Sequence, residues 1–282
     1  MLLNYENLFL IILAIVWLVG AVLQDLKRRE VDNLWNFSLV IFALGYRFIV
    51  MSYSGNYWFF INGIIGVVVF FVLGNLFYYS RLFAGGDAKL LIALGGILPL
   101  SYDWIINVKI FGIYILSFLF LGSLYVLIWA IFLMFINWKK FKKEFLKQWR
   151  IYHNYFFVFF VIILLFILIV LLLGKNIFVI LGIILSLFPV LFIFAKSIEE
   201  SCMIKALDPK KITEGEWLYK NLKVGKKKII ANWEGISEDE LRLIRNKYKK
   251  KVLIKQGIPF TPSFLIGFLI LLFILWKYKL LF

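Results

Sequence analysis

Residues 155–173 and 177–195 each run nineteen positions without one charged side chain. An α-helix needs about 20 apolar residues to cross the hydrocarbon core of a bilayer. Two such runs, nearly adjacent, rule out water as the main solvent of this chain. Hydrophobic residues make up 63% of the 282 and aromatic residues 20%, more apolar surface than a water-soluble core can hide. Hydropathy places helices over 8–24, 34–53, 57–80, 88–104, 108–136, 155–173, 177–195 and 263–281. The fourth carries Gly95, Gly96 and Pro99, which a membrane helix tolerates where neighbouring helices bury its backbone. The first ten residues lack the positive region of a secretory signal, so the first apolar segment is read as a true span.

The net charge of +16 raises the question of nucleic acid. A nucleic-acid binder gathers its cations on one folded module, whereas a membrane protein alternates basic and neutral loops. Eight spans with the N-terminus outside leave inner loops at 25–33, 81–89, 137–154 and 196–262. These hold 27 of the 32 Lys and Arg residues; the others are Arg47, Lys109, Lys175, Lys277 and Lys279. That bias is the positive-inside pattern, and the short loops weigh most in it. No nucleic-acid partner is expected, and the lipid bilayer is.

The expected architecture is an α-helical polytopic membrane protein of about eight spans, with a small cytosolic α+β domain before the last one. Its parts are a membrane domain over 1–195, a soluble domain over 196–262 and a C-terminal transmembrane helix over 263–282. The soluble segment holds nine of the sixteen acidic residues and half of the basic ones. Ser237 with Glu240 three positions on forms a capping-box pattern; Leu241, Ile244 and Tyr248 then share one helical face. Residues 228–233 and 251–255 look strand-like. About 65 residues make only a thin core, so this segment is expected to lean on the membrane domain. A single cysteine, Cys202, and a single histidine, His153, give no Cys- or His-rich ligand set; no metal or cofactor is expected.

Carboxylates within membrane helices are costly and mark function by default. Of seven acidic residues outside the soluble segment, Glu6 and Asp103 fall on the outer side, and Glu144 sits among lysines. Asp25 ends the first span and Asp87 opens the fourth, so both arrive at the same cytoplasmic depth although 62 positions apart. Each alone has an ordinary reading: Asp25 as the partner of a nearby Lys or Arg, Asp87 as an N-cap. Together they suit an aspartic protease, in which two facing carboxylates share one proton. The ionised member takes a proton from water while the protonated one polarises the scissile carbonyl. Gly85 and Gly86, lacking Cβ atoms, let an extended substrate strand approach; the same pair is also common as a plain loop.

The stretch Ala84-Gly85-Gly86-Asp87-Ala88-Lys89-Leu90 resembles the GxGD motif of membrane aspartyl proteases. Gln24 to Asn33, with Asp25 before Lys27-Arg28-Arg29, looks like the first catalytic segment of archaeal prepilin and preflagellin peptidases. The segment Gly257-Ile258-Pro259-Phe260-Thr261-Pro262 before a last span is similar to archaeal members too. Ala84 stands where the motif has its first Gly, and Asp32 replaces the turn proline, which makes Asp32 a rival first-segment carboxylate. The resemblance implies an aspartic endopeptidase of the cell membrane with Asp25 and Asp87 catalytic. It would remove a short, basic class III leader from pilin-like or archaellin precursors at the cytoplasmic face, with Gly85, Gly86, Lys89, Glu30 and Asp32 positioning the substrate. Three rivals stand beside it, one of them a catalytically inactive membrane scaffold with a cytosolic docking domain. A presenilin-like protease shares the GxGD idea, but its first aspartate follows Tyr, whereas Asp25 follows Gln24. An ion- or proton-coupled transporter would also use paired carboxylates, but nearer the bilayer midplane and in inverted repeats.

Overall fold

A computed structural model describes residues 5–174, 177–225 and 227–278. Lys175, Lys226 and Lys279, which entered the charge count, lie outside these residues, as does the 279–281 end of the expected last span. The chain divides into two compact units, one formed by residues 1–127 with 259–282 and the other by 128–258. Among the described residues, six helical stretches are long and apolar enough to cross a membrane, Ile177–Cys202 counting as one of them. The protein is a multi-pass membrane protein.

In the first unit, α1 (Tyr5–Arg28), α2 (Asn33–Ser54) and α3 (Tyr57–Tyr79) follow one another through tight turns. Backbone groups in lipid must bond within the chain, so helices are the only economical way across. Gly55, at φ 68°, closes α2 in the left-handed region and returns its N–H to Met51. Asn56 then caps α3 by accepting the Trp58 N–H. The unit is completed by α4 (Gly85–Leu94), the first part of α5 (Trp104–Ile136) and α10 (Thr261–Lys277). α10 packs on α1, and α4 packs on α2 and α3. Leu10, Leu39, Phe70, Leu91, Phe118, Phe264 and Phe268 are among the side chains of the shared core.

The fourth expected span, 88–104, is corrected. Its helix begins three residues earlier and stops at Leu94, and residues 95–103 are irregular. Ten residues rise about 15 Å, half of the roughly 30 Å hydrocarbon thickness. The irregular backbone survives burial because side chains from four helices bond its carbonyls. Arg47 of α2 donates to the carbonyls of Gly96 (2.9 Å), Ile97 (3.2 Å) and Pro99 (2.6 Å). Asn7 of α1 donates to Leu100, Asn62 of α3 to Ser101 and Asn107 of α5 also to Ser101. α3 meets this segment at Gly66, where a Cβ would collide with the Gly95 carbonyl.

In the second unit, α6 (Trp138–Leu172) is one continuous helix. The stretch 137–154, expected as an inner loop, is therefore helical from residue 138. Its Lys-rich sequence favours helix, and Glu144 bonds Lys147 (2.9 Å) and Gln148 (2.6 Å) across one turn. The expected seventh span, 177–195, is split into α7 (Ile177–Ser186) and α8 (Phe188–Cys202). The break falls at Leu187, just before Pro189, which suits a helix start and not its interior. α8 runs seven residues past the expected end.

The polar segment after α8 is α+β. β1 (Ile204–Leu207), β5 (Val252–Lys255) and β2 (Trp217–Leu218) form an antiparallel sheet in the order β1-β5-β2. β3 (Leu222–Val224) pairs with β4 (Lys227–Ile229) in a separate hairpin. The strand expected over 228–233 is thus shorter, ending at Ile229, and the one over 251–255 is β5. α9 (Glu238–Lys247) starts with the expected capping box, both of its bonds formed. Leu241, Ile244, Val252 and Ile254 close a small core, with Tyr248 packed at its side. The sheet is tied to α8 by an ion pair of Lys255 with Glu199 and by the Tyr219 hydroxyl donating to Glu200 at 2.8 Å. That bond to Glu200 holds the Tyr219 phenol above its usual range, and burial adds to the effect.

Candidate active site

Asp25 lies one turn from the end of α1, where the apolar run gives way to Lys27, Arg28 and Arg29. Its side chain is 7% exposed. Oδ2 accepts two bonds from the first residue of α10: the Thr261 N–H at 3.1 Å and the Thr261 hydroxyl at 2.8 Å. Thr261 is itself buried. Asp25 is thus paired with a residue 236 positions away in the sequence. α1 ends in a left-handed residue, Arg29 at φ 60°, whose N–H returns to the Asp25 carbonyl.

Asp87 is the third residue of α4. The N-cap of that helix is Ala84, which has no side chain able to cap. The Asp87 carboxylate accepts the Ala84 N–H and so satisfies an orphan donor of its own helix from within the first turn. Asp87 is half-buried and lies close enough to Asp25 to feel its charge. The loop before it also passes through a left-handed residue, Arg81 at φ 62°. Non-glycine residues in this region hold strain of about 1–3 kcal/mol. Each candidate carboxylate therefore has a strained arginine within six positions in sequence.

The remaining expected residues fall into two groups. Lys89 donates to Asn33 Oδ1 at 2.7 Å, fastening the start of α4 to the start of α2. A Cβ on Gly86 would meet nothing within 4 Å, so the space beside it is open. Gly85 is nearly as free, with Tyr78 its nearest neighbour. Asp32 is solvent-facing and paired with Arg28 at 2.7 Å; its N–H goes to Gln24. Glu30 is exposed. His153 sits on α6 with its ring against the Arg150 carbonyl. Among the described residues no three His, Cys, Asp or Glu side chains gather as a metal-binding group.

Sequence reasoning passed over Thr261 as a partner of Asp25. A Thr-Pro pair opening an apolar run does mark a helix start, but nothing in one sequence links it to residue 25. The polar donors Asn7, Asn62 and Asn107 were passed over too. Polar side chains inside spans are themselves a signal, and pursuing them would have pointed to a buried backbone needing donors.

Apolar helices around a pair of neighbouring carboxylates define a multi-pass membrane protein with a candidate aspartyl site. Residues 12–138, which contain both carboxylates, match the model of the type IV leader peptidase family. Three archaeal preflagellin peptidases are similar to the chain. That of Methanocaldococcus jannaschii is 34% identical over 40% of this chain and 46% of its own length. That of Methanococcus maripaludis is 36% identical over 31% and 38%, and that of Methanococcus voltae 24% identical over 44% and 56%. The chain thus spans about half the length of the curated relatives it matches, or less. No solved structure matches it. The resemblance drawn from the segments around Asp25 and Asp87 is borne out by these findings.

Proposed function

We propose that the protein is a membrane aspartic endopeptidase. It removes the short basic leader from type IV pilin-like or archaellin precursors bearing class III leaders, at the cytoplasmic face of the cell membrane. The observation that carries this reading is the buried Asp25 carboxylate with Asp87 as its electrostatic neighbour, both inside the region that matches the leader peptidase family. α1 delivers Asp25 at its end and α4 delivers Asp87 at its start. In an arrangement of eight membrane segments with the N-terminus outside, α4 counting as one, both carboxylates reach the inner leaflet.

The chemistry follows from two like charges placed together. Such a pair holds one proton between them, because both cannot ionise at once. The ionised carboxylate draws a proton from a water, and that oxygen attacks the carbonyl before the leader's last peptide bond breaks. The protonated partner hydrogen-bonds the developing oxyanion and then returns a proton to the leaving amine. Open space at Gly86 suits an extended strand of substrate, Lys89 fixes the start of α4, and Glu30 and Asp32 face the basic leader. The chain is read in three parts, a membrane domain over 1–195, a cytosolic soluble domain over 196–262 and a last transmembrane helix over 263–282.

The test is cleavage of pilin and archaellin precursors by the detergent-purified full chain, beside Asp25→Asn and Asp87→Asn. Cleavage before the precursor's hydrophobic helix, lost in both variants, supports the proposal. A folded wild-type protein that cleaves neither precursor, or an Asp32→Asn variant that is dead while Asp25→Asn is active, overturns it.

A further inference from the structure

The contact between Thr261 and Asp25 has two physical readings. In the first it is a helix cap. α10 has no capping side chain of its own, since Phe260 occupies its N-cap, and Pro262 contributes no N–H. The Thr261 N–H is then one of the orphan donors that every helix start must satisfy, and Asp25 accepts it. A backbone N–H would do this whatever the side chain. The Thr261 hydroxyl adds a second, shorter bond to the same oxygen, and capping α10 does not require it.

Both bonds fall on Oδ2. An N–H only donates, so Oδ2 faces it with a lone pair, and with both bonds spent on Oδ2 a proton is better placed on Oδ1. The bond from the hydroxyl fixes the rotation of the carboxylate about its last torsion, which is otherwise broad and roughly two-fold. Oδ1 is left as the oxygen that exchanges a proton with water. We propose that Thr261 is a positioning residue of the peptidase site: its hydroxyl holds Oδ2 so that Oδ1 of Asp25 addresses the reacting water. This rests on the peptidase reading above. It makes α10 the third segment of the site, after α1 and α4. The packing supports a fixed placement, because Gly267 one and a half turns on lies against the Phe118 backbone of α5, and Ser263 and Phe264 are fully buried.

The experiment compares kcat and KM per folded enzyme for wild type, Thr261→Val, Thr261→Ser and Ser263→Ala in precursor cleavage. Misplacing a reacting group by an ångström can cost about a hundredfold in rate, so Thr261→Val should lose about tenfold to a hundredfold in kcat. KM should stay within twofold of wild type, Thr261→Ser should recover most of the rate, and Ser263→Ala, on the same buried turn but with its hydroxyl on the Phe260 carbonyl, should keep it. Thr261→Ala replaces Thr261→Val if the latter does not accumulate. A valine or alanine variant with wild-type kcat, or a serine variant no better than either, overturns the proposal and leaves the peptidase reading standing. A wild-type protein that cleaves no precursor overturns the peptidase reading, and this assignment with it.

Discussion

In the membrane unit the fully buried side chains include Arg47 and Asn107, with Asn62, Asn7 and Asp25 nearly so, while Leu34, Ile41 and Phe42 of α2 face outward. Those polar groups sit beside an apolar core of Leu and Phe, whereas among the described residues of the sheet segment the buried side chains are apolar: Ile212, Val224, Ile244 and Ile254 are inside, and the lysines of β3 and β4 are outside. Lipid does not reward burying a leucine, so the membrane unit spends its interior on hydrogen bonds and close backbone packing. Water does reward it, and the sheet segment is an ordinary hydrophobic core in miniature. Burial therefore means different things in the two places. A buried polar side chain in the first unit signals a backbone or a reacting group that needs it.

Substitutions can break this contrast at chosen points. The largest effect is expected at the carboxylates, where Asp25→Asn or Asp87→Asn should lower cleavage by about 10³-fold or more, since loss of acid–base catalysis alone costs about 10²–10⁴-fold; single-turnover cleavage reads it. Arg47→Met comes next. It keeps the volume but strands the carbonyls of Gly96, Ile97 and Pro99. It also removes a cation stacked 4.5 Å from the Phe59 ring centre. Each stranded buried group costs about 1–3 kcal/mol, so thermal unfolding in detergent should show a loss of several such increments. A small shift would mean that water reaches residues 95–100 and that the segment is not a dry, side-chain-capped break. In the sheet segment, Ile254→Ala on the central strand should cost about 2–5 kcal/mol and open residues 204–255 to protease. The α1–α3 region should stay resistant if the two cores are independent.

The same contrast explains what could be read in advance. The helices of α1, α2 and α3 were legible because an unbroken apolar run has one reading in lipid. Asp25 and Asp87 stood out as candidates because a carboxylate at a span end is conspicuous against such a background. The stop of α4 at Leu94 was only half visible. Gly95, Gly96 and Pro99 announce a weak helix, but whether it breaks depends on donors at positions 7, 47, 62 and 107, which only folding brings together. The basic half of α6 misled for the opposite reason. Its lysines read as a loop by hydropathy, although Lys, Glu and Gln are good helix formers once the helix leaves the membrane. Thr261 was invisible in kind, since its meaning lies entirely in a partner at the other end of the chain.

The smallest expected effect lies in α9, where water makes local sequence decisive. Ten residues are too few for an isolated helix to be stable in water, so α9 depends on its ends and on Leu241 and Ile244 docking into the core. Ser237 accepts the Glu240 N–H, and Glu240 returns a bond to the Ser237 N–H at 3.1 Å. Ser237→Ala removes one of the two and should cost about 1 kcal/mol, visible as faster hydrogen exchange over 238–247 with no change in the membrane helices. Its effect on cleavage sharpens the comparison further. An unchanged kcat and KM would mean that the sheet segment is stabilised apart from the chemistry, as its separate core implies. A raised KM with unchanged kcat would instead assign α9 to holding the precursor, because weakening a surface that touches only the ground state and transition state equally moves KM alone.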